Sequence, residues 1–562
     1  MKKFIIVLLL ALSLSALSAC GGGELDFYKE DEFTSDGRLI INLFGHDMDD
    51  LQSPIEETKL ILDMVEEKFQ VKFKITTTTY TSSPTLLNQL IGGGDVPDVF
   101  IHFRKEPTYT AWVEAEILMN YSPYLKDYPN LEHAFKALGT EREVKMFLNG
   151  DYYSYPIIIH RDFEEPGELY AEVGMFYRRD WYQALELKGF KPSSGRELVD
   201  PEDPSFNYLN FYDLLEGFTY GDPDGNGIDD TYGYTLPKDE GVYWWYPILN
   251  MFEVTPSGWY QNDEGKWLPE ATSAEMYEAL MFMAEMYDKG FIDPNYSTST
   301  TVEGAKNNFV NGKAGMVVYN TTATMGSGVV DMMKGYVGKV AGSKTMSDVV
   351  RGMPVVTGKN DKKMILGGQN NFGYLAINND VTENKKKKIL SIIDWMLSDE
   401  GDRLLTWGIE NRHYKVLENG DLKSLLALDN NGHQKVLYDN LIAPGIYRLK
   451  GLASWETIFT NDPRPYPEVV DQLMSAWKKE YLFIDELAFV STGPEYSIVQ
   501  AELDDKIAIT FKSIVGNVAG STPKAKQDTR DSIWNDFVRY YEMKGSKYIN
   551  EINQRAKELY GE

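Results

Sequence analysis

The chain has 562 residues, 43% of them hydrophobic, enough to bury more than one core and too many for one compact domain. Its 85 acidic side chains outnumber the 56 basic ones, and the resulting formal charge of -29 repels nucleic acid and anionic lipid headgroups. A single cysteine excludes an intrachain disulfide, six scattered histidines give no zinc-enzyme pattern, and no Walker-type phosphate loop is present.

Lys2 and Lys3 precede an apolar run from Phe4 to Leu12, and the stretch closes with Leu17-Ser18-Ala19-Cys20, the layout of a secretory signal. Those last four residues resemble a bacterial lipobox. The resemblance implies that the thiol of Cys20 is lipidated, that the peptide before it is removed, and that the folded part is anchored outside the cytoplasm. A cleaved secretory peptide with an incidental thiol is the competing reading. Loss of Lys2 and Lys3 takes the formal charge from -29 to -31. Gly21-Gly22-Gly23 and the acidic stretch to Asp36 read as a flexible tether.

Leu39 to Phe44 reads as a buried strand; Leu60, Ile61, Met64, Val65 and Phe69 recur at helical spacing; Val71, Phe73 and Ile75 alternate as a second strand. After the turn Gly92 to Asp98, Val99-Phe100-Ile101 continues this βαβ beginning, so the expected class is α/β with parallel strands under helices. Later helices are signalled by Met276, Leu280, Met283 and Tyr287, by Ile389 to Leu397, and by Ile533, Trp534, Phe537 and Tyr541. Lys385 to Lys388 opens the second of these and reads as a solvated face, with contact to a membrane partner as the alternative.

Asp222-Pro223-Asp224-Gly225-Asn226-Gly227-Ile228-Asp229-Asp230 carries the strongest local chemistry. Asp222, Asp224, Asn226 and Asp230 place side-chain oxygens at positions 1, 3, 5 and 9, glycine falls at 6, and the Ile228 carbonyl stands at 7, as in the first part of an EF-hand loop. A chain curling around a hard cation turns sharply at the glycine while alternate oxygens replace the ion's water, so Ca2+ in a structural role is expected. Position 12 is Gly233, not a bidentate glutamate, which leaves completion to Asp230, Thr231, water or a distant carboxylate. A metal-free Asx-turn loop is the alternative.

Several segments resemble extracellular solute-binding proteins of ABC importers, the family 1 type that includes oligosaccharide-binding proteins, and in particular its large Gram-positive lipoprotein branch. They are Gly93-Gly94-Asp95-Val96-Pro97-Asp98-Val99, Asn149 to Pro156, Phe176 to Trp181 followed by Leu187 and Pro192, Asn311 to Met316, and Ile393 to Gly401; Asp230-Thr231-Tyr232-Gly233 follows the acidic loop as in that branch. The resemblance implies a two-lobed periplasmic-binding-protein-like α/β fold with discontinuous lobes, a hinge and an interlobe ligand cleft. It implies crossings near Ile159, 300 and 375, with 37–160 plus 305–372 as the N-terminal lobe and 161–304 plus 373–562 as the C-terminal lobe. It also implies a monomer with no enzymatic role, lipid-anchored on the extracellular face, that hands an oligosaccharide to permease subunits.

Position by position, the resemblance nominates Phe44, His46, Asp47, Tyr155, His160, Arg161, Tyr319 and Asn320 for the cleft, consistent with ligands lying beyond the carboxyl ends of strands. Sugars need a stacking ring flanked by planar hydrogen-bonding groups, which adds Trp244 and Trp245 from the cluster Tyr243 to Tyr246, although core packing is an equal reading of those rings. Trp407, Arg412 and His413 are second-rank candidates, and Gln369-Asn370-Asn371 supplies amides that a turn would also use. A surface glycoside hydrolase and a calcium-dependent adhesion or sensor protein are the alternatives; no catalytic motif singles out a carboxylate pair.

Overall fold

A computed structural model describes residues 31–103, 108–137, 151–158, 173–237, 242–296, 301–320, 329–330, 332–339, 344–367, 371–426, 436–437, 443–454, 481–483, 487 and 494–560. The strands of its two main sheets are β1 (Leu39–His46), β2 (Val71–Thr78), β3 (Val99–His102), β4 (Tyr155–Ile158), β5 (Val173–Arg178), β6 (Tyr232–Thr235), β7 (Ala314–Asn320), β8 (Val350–Gly352) and β9 (Asn371–Ile377). The helices that bear on the site are α1 (Glu56–Phe69), α2 (Arg179–Lys188), α3 (Tyr208–Tyr220), α4 (Ala274–Asp288), α5 (Val302–Val310), α6 (Glu383–Met396), α7 (Asp399–Trp407), α8 (Pro444–Lys450), α9 (Pro494–Val515) and α10 (Pro523–Tyr560).

β1 is buried along most of its length, as a central parallel strand must be, and pairs in parallel with β2 from Leu39↔Val71 to His46↔Thr78 and with β3 on its other side. Glu56 and Glu57 start α1 where the helix dipole favours acids, and Gln70 ends it in the left-handed conformation at φ 53°. The first sheet has the order β2-β1-β3-β9-β4, with β9 antiparallel to both neighbours. The second sheet has the order β8-β5-β7-β6; β7 runs antiparallel to β5 and parallel to β6. Side-chain oxygens of Ser273, Thr301, Thr382 and Ser398 cap α4, α5, α6 and α7.

The cores follow the sheets. One runs from Leu39 through Leu375, Trp395 and Leu449 to Ala453; the other runs from Val173 through Tyr234, Met283 and Met316 to Phe511, Phe537 and Ile552. This corrects the expected division of the chain. β7 at 314–320 lies in the second sheet, not the first, and β9 with residues 383–454 belongs to the first, while α9 and α10 pack on the second. A strand apolar on both faces, such as β7, carries no alternation to say which sheet it joins. The chain therefore passes from the first sheet to the second after β4, back between β8 and β9, and over again between 454 and 487.

Lys385 is also not on a solvated face. Its ammonium is buried 3.1 Å from Asp98 Oδ2, which accepts as well from the Asn42 backbone N–H at 2.8 Å and from Asn42 Nδ2 at 3.1 Å. The turn before β3 is thus riveted to both β1 and α6. Among the described residues no helix is long and apolar enough to cross a membrane.

Candidate functional site

Because β1, β2 and β3 are parallel, their carboxyl ends share one edge of the first sheet, and the residues just beyond them cluster there. The His46 ring is buried, 5.3 Å from Tyr80 in edge-on contact and 5.4 Å from Phe103; Tyr80 and Phe103 stand 5.0 Å apart, and Tyr80 is 44% exposed. Gly373, at φ +74°, leaves room for Phe103, whose Cε1 would lie 3.2 Å from a Cβ there. His102 is stacked between Tyr109 at 5.4 Å and Tyr374 at 5.6 Å, with Nε2 2.8 Å from Ser154 Oγ. Arg448 reaches the same edge from α8: its Nη2 is 3.5 Å from Asp47 Oδ2, and its guanidinium lies over Tyr447 at 5.4 Å. Burial, and then the Arg448 charge, push His46 down to about 4 against the pull of Asp47, so its imidazole is neutral at pH 7.

The second lobe presents a similar set at the carboxyl end of β7. Trp244 stacks on Tyr319, centroids 6.3 Å apart and planes 24° apart. The Tyr319 hydroxyl donates to Glu303 Oε1 at 2.9 Å, and Lys306, which pairs with Glu303, lies over the Tyr319 ring at 5.6 Å. Burial and the Glu303 carboxylate push the Tyr319 phenol well above its ordinary range. The buried Trp244 Nε1–H has no hydrogen-bond partner among the described residues. Asn320 ends the strand beside this pair.

Other expected cleft residues lie elsewhere. Phe44 packs with Phe100, Tyr109 and Ala376; Tyr155 donates its hydroxyl to the Ala453 carbonyl at 2.7 Å; Trp245 packs near Tyr296; and all three are fully buried. Trp407 forms a small core with Tyr414 and Leu422. Arg412 Nη2 and His413 Nε2 bond the two oxygens of Glu57 at 2.8 and 2.7 Å, tying the segment after α7 to the first turn of α1. These are structural positions, because the apolar rings satisfy the cores and the two polar side chains are engaged by Glu57. Cys20, His160, Arg161, Gln369 and Asn370 lie outside the described residues, as does the side chain of Asn371. Tyr80, Phe103 and Arg448 escaped the sequence reading. The rule that nominated the end of β1 points equally to the ends of β2 and β3, whereas nothing local marks Arg448.

In the acidic loop, Asp222, Gly225 and Gly227 take positive φ values of 47°, 73° and 77°. Asp222 Oδ1 accepts from the Gly227 N–H at 3.1 Å, while its Oδ2 stands 3.0 Å from Lys188 Nζ, which holds this carboxyl below its usual range. Asn226 Nδ2 donates to Asp224 Oδ2 at 2.8 Å and to Asp230 Oδ1 at 3.1 Å, and the Ile228 N–H donates to Asn226 Oδ1 at 2.7 Å. Burial, Asp230 and Asp222 push Asp224 up, the mark of carboxylates gathered against one another. The donors are all hard oxygens and fit Ca2+ in kind. Their arrangement is closed on the Asn226 amide, and among the described residues no three His, Cys, Asp or Glu side chains are grouped to hold a metal. Thr231 is not a spare ligand: its hydroxyl is buried and donates to the Phe218 carbonyl at 2.8 Å. Since β6 runs parallel to β7 from Tyr232↔Ala314, the loop sits at the opposite end of the sheet from Tyr319.

Cavities of about 800 and 780 Å3 open beside the end of α4 and the start of α10, both lined by Asp288 and Lys526. They are separate from either strand-end cluster.

The bacterial extracellular solute-binding protein family matches residues 52–403, more than half of the chain. The chain belongs to that family. It is 27% identical over 380 residues to lipoprotein LipO of Bacillus subtilis, spanning 66% of this chain and 67% of that protein. It is 24% identical over 335 residues to the polygalacturonan/rhamnogalacturonan-binding protein YtcQ of the same organism, spanning 59% of each. The fold is similar to that of the alginate-binding protein AlgQ2 without calcium ion, at TM-score 0.62 and 16% identity over 94% of this chain and 99% of that one. It is also similar to an HMO-binding, ABC-transporter-associated solute-binding protein of Bifidobacterium longum infantis, at TM-score 0.66 and 15% identity over 93% and 99%. Membership of the family makes this chain an extracellular solute-binding protein, and the likeness to solved structures gives it their two-lobed fold.

Proposed function

We propose that this chain captures an oligosaccharide between its lobes and delivers it unchanged to the permease of an ABC importer, held on the extracellular face of the membrane by an acylated Cys20. The observation that carries this reading is the pair of strand-end clusters, His46 with Tyr80 and Phe103 on one lobe and Trp244 with Tyr319 on the other. Each sets aromatic faces beside planar or charged hydrogen-bonding groups, the combination a sugar's C–H face and hydroxyl rim demand. The buried indole N–H of Trp244 is a donor that a ligand hydroxyl would satisfy. The names of the relatives support both the anchor and the ligand class, LipO being a lipoprotein and YtcQ a polygalacturonan/rhamnogalacturonan-binding protein.

The loop Asp222, Asp224, Asn226, Ile228 and Asp230 holds a structural Ca2+ in this reading, with Asn226 turned so that its amide oxygen faces the carboxylates. The ion compensates for their mutual repulsion in a chain that has no disulfide.

A thermal-shift screen tests the ligand class. The melting temperature rises with at least one oligosaccharide and not with nucleotides or peptides, and Trp244→Ala weakens the glycan affinity about tenfold or more. A peptide that stabilises the protein while no glycan does overturns the reading.

A further inference from the structure

The cavity of about 780 Å3 shares no lining residue with the strand-end clusters proposed to hold the ligand. It has the size of a small-ligand site. Glu278, Phe282 and Glu285 recur at helical spacing on α4, so one stripe of that helix forms a side of the groove. Tyr208, which opens α3, and Phe252 add the floor, and the exposed Ser521, just before α10, stands at the rim.

Tyr208 lies 5.8 Å from Phe252 and 5.8 Å from Phe282, and Phe252 lies 5.3 Å from Phe282. Phe252 is 5% exposed and belongs to the core, whereas Tyr208 and Phe282 are half-buried and keep part of their rings open to the groove.

The charges around these rings are matched. Lys359 pairs with Glu278, Lys526 and Arg530 both hold Asp288 at 2.8 Å, and Glu285 accepts from the Tyr212 hydroxyl at 2.8 Å. Among the described residues Lys289 is the one lining cation outside an ion pair. An incoming ion therefore finds few partners in the groove. A hydroxylated ring finds what it needs, an aromatic face for its C–H groups and, at its edge, polar groups already fixed in place. A paired carboxylate, with about four lone-pair sites, still accepts from further hydroxyls.

We infer that this groove is a second glycan site, apart from the strand-end clusters. It holds uncharged sugar residues of a longer chain, with a pyranose face against Tyr208 and Phe282 and its hydroxyls on the Glu278–Lys359 and Asp288–Lys526 pairs. The receptor thereby has a second hold on a polysaccharide.

Affinity electrophoresis of the purified protein in gels cast with galactan, xylan or glucomannan, beside a gel without polysaccharide, tests this. At least one of the three retards the parent, and it retards Trp244→Ala nearly as much. Tyr208→Ala weakens that binding about tenfold or more. Ser521→Trp, which fills the groove from an exposed rim position, weakens it too and decides the matter should Tyr208→Ala fail to fold. Hydrogen exchange of Trp244→Ala with the matching oligosaccharide shows protection in residues 278–289 and 520–530. Retardation that survives both Tyr208→Ala and Ser521→Trp, or that disappears in Trp244→Ala, overturns the inference and leaves the cleft reading standing. So does a parent that none of the three retards while an oligosaccharide still raises its melting temperature. Binding of trigalacturonate or phosphate that is lost in Lys289→Ala, with no neutral glycan bound, overturns the ligand class of the groove. Failure of every glycan to bind anywhere overturns both readings.

Discussion

Asp98 illustrates how much a single side chain carries in this fold. One of its oxygens holds the Asn42 backbone, the Asn42 amide and the buried Lys385 ammonium, joining β1, the turn before β3 and the start of α6. Replacing Asp98 by Ala strands that ammonium in a site 5% exposed, and leaving a buried charge without its partner costs about 3–5 kcal/mol. Urea unfolding of Asp98→Ala is expected to show that loss, with partial recovery in Asp98→Ala/Lys385→Met, where no charge remains to be solvated. Equal stability of Asp98→Ala and the parent would mean that the ammonium reaches water in the folded protein. His46 shows the opposite device. It stays neutral at pH 7, so that two aromatic rings can close over it at the edge where the ligand is proposed to lie.

At the scale of elements, the acidic loop between α3 and β6 is the piece proposed to take its stability from a bound cation. Its carboxylates face one another through the Asn226 amide, and a cation removes that repulsion. Calcium is expected to raise the melting temperature of the parent, chelator to reverse the gain, and Asp224→Ala to abolish the response; a parent indifferent to chelator contradicts the metal assignment. β1, α1, β2 and β3 were legible in the sequence, because apolar periodicity switches cleanly between strand and helix there. The partition between lobes was not. β7 and β9 are apolar on both faces where burial is described, so pairing, which depends on long-range register, decided their sheets. Aromatic residues misled for a related reason: Trp244 and Trp245 are neighbours in sequence, yet one stacks on Tyr319 at the strand end and the other fills the core. Arg448, far along the chain from Asp47, could be connected to it only by the fold.

The described residues form two main sheets, each backed by a large core, joined where the chain passes between them. Such a body closes on a ligand only if the closed state makes contacts the open state lacks, and the strand-end clusters are where those contacts would form. Small-angle X-ray scattering of the protein with and without a saturating oligosaccharide, with the sugar recovered afterwards, tests that claim most directly. The account predicts a smaller radius of gyration in the bound state, reached in Trp244→Ala only at about tenfold or more higher sugar concentration, and an intact sugar; an unaltered scattering profile at full occupancy, or a cleaved sugar, would contradict it.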